Sequence, residues 1–405
     1  MNLGILGAGY IAGVMAETIR KMNESGDHTV RLYAVAARDA DRAQAFAARY
    51  GAEKAYGSYE EMLRDPDLDF AYIATPHSHH YHLIKLCADH GKHVLCEKSF
   101  TVNARQAEDA IRYARAKGVL VTEAIWTRYQ PMRTIIDETI ASGIIGEPKM
   151  LTANLCYAIT QNHRIVVPEL AGGALLDVGV YTLNFAEMVF GRADGVRCAC
   201  TKNENGVDLT DSITLTWRDG RVANLTAGVH CVSDQLGVIY GTDGYVMVED
   251  INNPTGLKVF DRDRRLVREV SCPPKLTGYE YEVLETARCI RDLADSEFIA
   301  VYALPAHNSF GFFGDGFVVY KEIILYGISY VPAFWGIVNV GTVSLSGLRQ
   351  TFNEFIFLEI INDVSRRQFD KHIRFVRPWK LGIVEMLYFV SLMAGCCGCF
   401  RRSYQ

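Results

Sequence analysis

The amino-terminal part of the chain alternates short apolar runs with longer amphipathic stretches. The apolar runs predict five strands, at Leu3–Leu6, Val30–Ala36, Phe70–Ala74, His93–Cys96 and Val119–Thr122. The stretches between them have helical spacing, and the first helix is expected from about Ala12 to Met22. Because each strand is apolar on both faces and a helix follows it, the pattern predicts an α/β fold with parallel strands.

The first turn of this pattern carries a glycine motif. Gly7, Gly9 and Ala12 match G-x-G-x-x-A between the first strand and the first helix, with Tyr10 and Ile11 in the same turn. Gly7 permits a tight turn, Gly9 lets the backbone approach a pyrophosphate, and Ala12 allows close packing of a helix whose amino terminus faces the anion. The motif in this context predicts a dinucleotide site.

The end of the second predicted strand bears on which dinucleotide binds. A site for NAD usually has an acid there, which accepts the ribose hydroxyls. This chain has Ala37 at that position, and Arg38 follows. An arginine can contact a 2′-phosphate, so we expect NADP. NAD stays possible if Arg38 is only a solvated charge and Asp39 only the cap of the next helix.

Two later segments carry groups that can move a proton. Glu97 and Lys98 follow the fourth predicted strand, at the carboxyl edge where doubly wound sheets bind ligands. Asp177 and Tyr181 are four residues apart, so on a helix they share one face. Each residue alone is better explained by an ion pair or a helix cap. Together beside a dinucleotide, an ammonium, a carboxylate and a phenol can move a proton while a hydride is transferred.

These motifs occur in an order that resembles a known family. The Gly7–Ala12 turn, Thr75-Pro76 with His80, Glu97-Lys98 and Asp177-x-x-x-Tyr181 are similar to the glucose-fructose oxidoreductase, inositol dehydrogenase and MocA (Gfo/Idh/MocA) family. The resemblance runs from residue 1 to about 292. Within the family, the chain is most similar to NADP-dependent dehydrogenases of dihydrodiols and D-xylose, through residues 34–39, 55–61, 123–128 and 173–177.

The resemblance implies a fold with two domains and a tail. An NADP-binding Rossmann domain is expected at 1–122. An α/β domain with an open, mainly antiparallel sheet is expected at 123–297, where it covers the nicotinamide and often forms a homodimer. An atypical hydrophobic tail occupies 298–405.

The resemblance also implies roles for individual residues. Lys98 and Tyr181 would be the acid/base pair, and Asp177 would orient the substrate or tune Lys98. The cofactor contacts implied beyond the glycine turn and Arg38 are Thr75, Pro76, His77, His80, Glu97, Lys98, Trp126 and Arg128. Two positions depart from the family pattern, since Ser99 stands where proline is common and Ala171 where glycine is common.

The activity implied is hydride transfer between NADP and a secondary alcohol or hemiacetal of a sugar, cyclic polyol or trans-dihydrodiol. One alternative is an NAD-dependent inositol or sugar dehydrogenase. Another is a nonenzymatic cofactor-binding sensor on the same fold. The joint presence of Lys98, Asp177 and Tyr181 favours an enzyme over the sensor.

Four histidines, at positions 77, 79, 80 and 82, crowd together after Thr75-Pro76. Imidazoles are common zinc ligands, but no cysteine or carboxylate motif accompanies them. We therefore predict no metal and assign these residues to a loop beside the nicotinamide, with His80 nearest to it. Cys96 is expected to be a buried thiol at a strand end.

Composition narrows the function classes further. The 405 residues include 42 basic and 47 acidic side chains, a net charge of -5, and this charge does not favour a nucleic-acid binder. The 11 cysteines lack paired secretory spacing, and the apolar pattern beginning at Leu3 leaves no room for a signal peptide. We expect a cytoplasmic enzyme with a small-molecule substrate.

The tail has two interpretations. Residues 323–348 carry no charged side chain, a length that can cross a bilayer, and a second apolar stretch runs over 381–400. The tail could form a membrane hairpin, although the glycines and proline of its first stretch disfavour a helix in water. A shift of reading frame near residue 295 is the alternative, which would replace the family's carboxyl terminus with unrelated sequence.

Overall fold

A computed structural model of the chain describes residues 1–295. The predicted tail at 298–405, with both of its interpretations, lies outside these residues. The described part contains two sheets, one parallel and one mixed. This arrangement confirms the predicted α/β fold with a second, mainly antiparallel sheet.

The first sheet has six parallel strands in the order β3-β2-β1-β4-β5-β6, which is the order of a Rossmann fold. Its strands are β1 (Asn2–Leu6), β2 (Arg31–Ala36), β3 (Lys54–Tyr56), β4 (Phe70–Ile73), β5 (His93–Glu97) and β6 (Val121–Ala124). Five of them match predicted strands, although β6 begins two residues later than expected. The three residues of β3 mix a lysine with a tyrosine and are too few to show a period.

Helices cover both faces of this sheet. Those that follow its first five strands are α1 (Tyr10–Glu24), α2 (Ala40–Tyr50), α3 (Tyr59–Leu63), α4 (His77–Asp89) and α5 (Ala104–Ala116). Side chains of α1 and α2 pack with Leu3, Ile5 and Tyr72 on one face. Side chains of α3, α4 and α5 form a second core on the other face. The strands are therefore buried on both sides, as their apolar sequences require.

The second sheet has eight strands in the order β14-β13-β12-β11-β7-β10-β9-β8. Its strands are β7 (Pro148–Cys156), β8 (Gly195–Lys202), β9 (Asp208–Thr216), β10 (Val222–Gly228), β11 (Gly237–Gly241), β12 (Gly244–Glu249), β13 (Gly256–Asp261) and β14 (Leu266–Ser271). Only the pair β7–β10 is parallel among these strands. The sheet is open, because its edge strands β14 and β8 do not pair with each other.

One face of this sheet carries α6 (Pro131–Ala141), a short α7 (His163–Val166) and the helical stretch that ends in α8 (Val180–Phe190). The segment Pro168–Phe190 is the one helix among residues 1–295 long and apolar enough to cross a membrane. Of the 18-residue window that passes this test, 89% is buried inside the protein, as expected of a core helix. Its apolar side chains join those of the sheet in the largest core.

The last described helix, α9 (Glu280–Asp295), returns to the first sheet. Val283, Ala287 and Ile290 are buried with Leu3 and Phe70 in the core beneath α1. The core on this face of the parallel sheet is thus built from both ends of the described chain. The boundary predicted at residue 122 falls inside β6.

Candidate active site

The glycine turn leaves the amino end of α1 open. Gly7 has φ +107°, and a Cβ there would lie 2.8 Å from the carbonyl oxygen of Ala74. Apart from Gly9 and its two chain neighbours, no atom of residues 1–295 lies within 4 Å of the position that a Cβ of Gly9 would take. This open face beside a helix amino terminus fits a pyrophosphate that approaches the backbone. Tyr10 is 88% exposed and Ala12 is fully buried.

Close packing behind the turn depends on a further glycine. A Cβ on Gly13 would lie 2.5 Å from the hydroxyl oxygen of Tyr50 in α2. Ile11 is half-buried beside Ala12. Gly13 follows the motif directly, but G-x-G-x-x-A assigns it no role, so its contact with α2 appears only in the fold.

The end of β2 presents arginines to the turn. Arg38 is exposed and lines an open hollow with Tyr59 and Leu86. Arg42 donates from Nε and Nη2 to the carbonyl oxygen of Ala8, at 3.3 and 3.0 Å. Asp39 caps α2 by accepting from the backbone N–H groups of Asp41 and Arg42, so its carboxylate is engaged.

The histidine-rich segment is helical, which corrects the predicted loop. α4 begins at His77, directly after Pro76, because a proline at the amino end of a helix forfeits no helical hydrogen bond. His77 Nδ1 contacts the carbonyl oxygen of Ala171 at 2.9 Å, and Ala171 has φ +53° where the family commonly has glycine. Burial lowers the pKa of His77 to about 3, so the ring is neutral at neutral pH.

His80 lies between two backbone carbonyl groups. Its Nδ1 and Nε2 contact the carbonyl oxygens of Ser99 and Thr75, each at 2.9 Å. Burial lowers the pKa of His80 to about 4, so the neutral ring donates to one of them. The ring thereby ties the end of β4 to the loop that follows Lys98. The Thr75 hydroxyl is buried without a partner in residues 1–295, as an oxygen that faces a ligand would be.

Lys98, Asp177 and Tyr181 meet at the carboxyl end of β5. The Lys98 ammonium donates to the carbonyl oxygen of Asp177 at 2.8 Å and lies 3.5 Å from its carboxylate. It also lies 5.1 Å from the ring centre of Tyr181. Burial raises the pKa of Tyr181 well above its ordinary value, so the phenol keeps its proton. The structure therefore brings together the three residues to which the sequence assigns the proton chemistry.

Asp177 has a second cationic partner that sequence reasoning missed. Arg164 of α7 donates to its carboxylate at 2.6 Å. Burial alone would raise the pKa of Asp177, but the charges of Lys98 and Arg164 hold this pKa below its ordinary value. The carboxylate is thus ionised, buried and fixed between two cations. No motif marks Arg164, because α7 is short and lies on a loop between sheet strands.

The chain between Gly173 and Tyr181 is held at both ends. A π turn covers Leu175–Gly179 before α8 begins, and the Leu175 N–H donates to the carboxylate of Asp208 at 2.6 Å. A Cβ on Gly173 would overlap that carboxylate. On the other side, the hydroxyl of Ser99 donates to the carbonyl oxygen of Leu176 at 2.7 Å. Ser99, where proline is common, follows a cis peptide bond and anchors the Lys98 loop to this segment.

Glu97 lies beneath Lys98 rather than beside open solvent. It accepts from the hydroxyl of Tyr72 and, at 3.1 Å, from the backbone N–H of Lys98. Burial raises the pKa of Glu97, and Glu282 of α9 is its buried neighbour. Glu97 supports the loop of Lys98 from within the core.

Trp126 and Arg128 belong to a short 3-10 helix after β6. Trp126 stacks on Tyr279, with ring centres 4.2 Å apart, and its Nε1 donates to Asn252 at 3.1 Å. Asn252 in turn donates to the hydroxyl of Tyr157 at 3.0 Å. These residues form an aromatic wall, defined here as Trp126, Tyr157 and Tyr279.

The wall lies within electrostatic reach of the proton-moving groups. Burial raises the pKa of Tyr157 and of Tyr279. The negative charge of Asp177 adds to this effect at Tyr157, and that of Glu97 adds to it at Tyr279. Arg128 is turned toward α8, where it donates to Asn184 and lies 3.9 Å from Glu187. Sequence reasoning assigned no site role to Tyr157 or Tyr279.

Residues 1–295 contain no group of three or more histidine, cysteine or acidic side chains arranged to hold a metal ion. Two of the four crowded histidines, His77 and His80, instead contact backbone carbonyl oxygens.

Comparison with known families agrees with this geometry. Residues 1–125 match the family described as "Oxidoreductase family, NAD-binding Rossmann fold", and residues 134–247 match the "GFO/IDH/MocA C-terminal domain". The chain belongs to the Gfo/Idh/MocA oxidoreductase family. The predicted family and the predicted nicotinamide-dinucleotide domain are both confirmed. A homodimer and a cytoplasmic location stay predictions.

Curated relatives in this family span most of the described chain. Trans-1,2-dihydrobenzene-1,2-diol dehydrogenase of Mus musculus is 32% identical over 332 residues, covering 77% of this chain and 97% of the relative. The enzyme of the same name from Xenopus tropicalis is 34% identical, covering 73% and 94%. The similarity to dihydrodiol dehydrogenases that the sequence predicts is therefore confirmed.

Solved structures share the fold. KijD10, a 3-ketoreductase from Actinomadura kijaniata solved with NADP and TDP-benzene, has a TM-score of 0.66 at 24% identity, covering 72% of this chain and 90% of that one. An NAD binding oxidoreductase from Klebsiella pneumoniae has a TM-score of 0.64 at 23% identity, covering 72% and 89%. Both agree with a Rossmann domain joined to an open second sheet.

Proposed function

We propose that this Gfo/Idh/MocA oxidoreductase transfers a hydride between NADP and a secondary alcohol or hemiacetal of a small cyclic substrate. The observation that carries the proposal is the convergence of Lys98, Asp177 and Tyr181 at the carboxyl end of β5. An ammonium, a buried carboxylate and a protonated phenol at one place can exchange a proton with a substrate oxygen.

The three groups have different parts in that exchange. The Tyr181 phenol keeps its proton because burial raises its pKa, so it donates a hydrogen bond to the substrate oxygen. Lys98 is the cation next to it and exchanges the proton with the substrate oxygen. Asp177, ionised between Lys98 and Arg164, fixes the ammonium in place and balances its charge. A nicotinamide dinucleotide, when bound, supplies the hydride chemistry.

The residues around the glycine turn fit NADP. The open face at Gly9 suits a pyrophosphate, and the exposed Arg38 can pair with a 2′-phosphate. Ala37, at the usual place of the NAD-selective acid, is buried, and Asp39 is occupied as the cap of α2. The usual position of the NAD-selective acid is thus taken by an alanine, and Asp39 uses one carboxylate oxygen to cap α2.

The substrate proposed first is a trans-dihydrodiol, with pyranose sugars and cyclic polyols as the other members of the class. Curated relatives named for trans-1,2-dihydrobenzene-1,2-diol support it. The aromatic wall supports it as well, because flat apolar rings pack well against aromatic side chains.

The test follows NADPH formation by absorbance with NADP and a panel of trans-dihydrodiol, D-xylose, D-glucose and inositol. We expect a signal that falls sharply in Tyr181→Phe and persists in Tyr113→Phe, a control whose hydroxyl donates to Asp89 at an exposed position. A signal that survives in Tyr181→Phe contradicts the assigned role. Binding of NADP with no turnover of any member of the panel favours the nonenzymatic sensor.

A further inference from the structure

Two cysteines meet behind the aromatic wall. Cys156 ends β7 and is 4% exposed, whereas Cys231 is exposed on the loop after β10. Both sulfur atoms lie 3.1 Å from the position that a Cβ of Gly228 would take, so the two thiols are neighbours across this glycine. The missing side chain at Gly228 is what leaves room for both sulfurs.

The backbone around the pair is already folded for a cross-link. Gly228 pairs with Cys156 in the parallel ladder of β7 and β10. Beyond it the loop turns back, so that the Cys156 N–H donates to the hydroxyl of Ser233 at 3.1 Å. The loop thus carries Cys231 to the end of the strand that holds Cys156, and a disulfide needs only a local approach of the two sulfurs.

We propose that Cys156 and Cys231 are a site of reversible oxidation by small disulfides such as oxidised glutathione. The Cys231 thiolate attacks one sulfur of the disulfide and releases one thiol, which leaves a mixed disulfide on Cys231. Cys156 then loses its proton and attacks the Cys231 sulfur, which releases the second thiol. Two protein thiols are oxidised and one small disulfide is reduced to two thiols, so electrons and protons balance.

Exposure and burial set the order of these steps. Cys231 and its neighbour Val232, which is 77% exposed, are open to a solute. Burial, with a further contribution from Cys231, raises the pKa of the Cys156 thiol to about 11. Cys156 is therefore the resolving thiol, and its attack is the slower step.

The cross-link would act on the wall next to it. Tyr157 follows Cys156 directly, its N–H donates to the carbonyl oxygen of Gly228 at 3.0 Å, and its hydroxyl holds Asn252. Drawing Cys231 onto the strand end shifts this segment while the glycine turn stays as it is. This expectation rests on the proposed function: oxidation should raise the KM for the alcohol several-fold and leave the KM for NADP unchanged.

The decisive experiment is chemical and does not depend on activity. The full chain is treated with oxidised glutathione, digested with trypsin and analysed by mass spectrometry. The tryptic peptides 150–164 and 222–258 contain one cysteine each, so their disulfide identifies the Cys156–Cys231 link without ambiguity. We expect this link in the parent chain after treatment, its loss on adding dithiothreitol, and its persistence in the control Cys272→Ser.

Two variants separate the steps. Cys231→Ser should leave Cys156 unmodified, and Cys156→Ser should trap glutathione on Cys231. A Cys231–Cys231 peptide pair from two copies, or no 150–164 to 222–258 link in the parent chain, overturns the proposal. If the link forms but no NADP-dependent activity exists, the oxidation site stands and the proposed function fails.

Discussion

The ammonium nitrogen of Lys98 lies 2.8 Å from the backbone carbonyl oxygen of Asp177 and 3.5 Å from its carboxylate. One cation is thus held by two groups of a single residue, which lies in the helical stretch before α8. The contact joins the loop after β5 to the π turn before α8. The same atoms therefore serve the proton chemistry and join these two segments. Substitutions at these positions test which effects come from the chemistry and which from the joined structure.

Replacing Lys98 by methionine should lower kcat/KM by about 10²–10⁴-fold, because a positioned acid/base group is worth about that much. The methionine keeps the length and apolar packing of the stem, so the dissociation constant of NADP should change little. Steady-state kinetics and calorimetric titration with NADP check this. Equal losses in turnover and in NADP binding would contradict the assigned role, since they would report a collapsed loop.

Replacing Arg164 by glutamine should move the acid limb of kcat/KM to higher pH. The charge of Arg164 helps to depress the pKa of Asp177, and an opposite charge in contact lowers a carboxyl pKa by about 1–3 units. Without the charge of Arg164, the pKa of Asp177 is about one unit higher, so Asp177 takes up its proton at a higher pH. The pH profile of the variant is compared with that of Arg268→Gln on the exposed β14. An unchanged profile would exclude Arg164 from the electrostatics of the site.

Replacing Arg38 by alanine should raise the KM for NADP about tenfold or more, a change equivalent to about 1.4 kcal/mol, and leave the KM for NAD nearly unchanged. The reason is that NAD lacks the 2′-phosphate that Arg38 is proposed to contact. Arg49→Ala, on the exposed end of α2, is the matched control. Equal effects on both cofactors would argue for the NAD-dependent alternative.

Replacing Asp211 by asparagine should flatten the dependence of stability on pH. Burial and the hydrogen-bonded charge of Asp208 raise the pKa of Asp211 to about 9, with Lys202 opposing them. Between the unfolded pKa near 3.8 and that value, the folded chain holds a proton that the unfolded chain lacks. Its contribution is therefore complete at low pH and declines through this window as pH rises, by up to about 1.4 kcal/mol per pH unit.

The measurement is the free energy of unfolding in urea at pH 6 and pH 8. The parent chain should lose more stability between these values than Asp211→Asn, whose amide can still donate to Asp208. A parallel decline in both proteins would show that Asp211 is already ionised in the folded state.

The sequence predicts most of the parallel sheet because its signals are local. An apolar run, a glycine with positive φ and a helix with polar and apolar faces each occupy a few adjacent residues. Gly51, which ends α2 at φ +77°, is such a signal. β3 gave none, since three residues with a lysine show no period. The second sheet was expected only from the family resemblance.

Parts of the site depend on contacts distant in sequence, which no local pattern reveals. Arg164 reaches Asp177 only because α7 folds onto the π turn, and Tyr157 joins Trp126 only through Asn252. The helical start at His77 was missed for a different reason, since histidines after a strand end were interpreted as a loop. Lys98 was found from its place after a strand, and Asp177 and Tyr181 from their four-residue spacing. The family resemblance assigned their roles, and only the structure shows their convergence.

Helix α9 supplies Val283, Ala287 and Ile290 to a core whose other buried side chains, apart from those of α9, come from residues 3–124. On the ribosome, these side chains are made only after the entire eight-stranded sheet has been translated. During translation, this apolar face of the amino-terminal sheet therefore stays uncovered until the chain has passed residue 290. A chain released before that point would expose this face to chaperones and proteases.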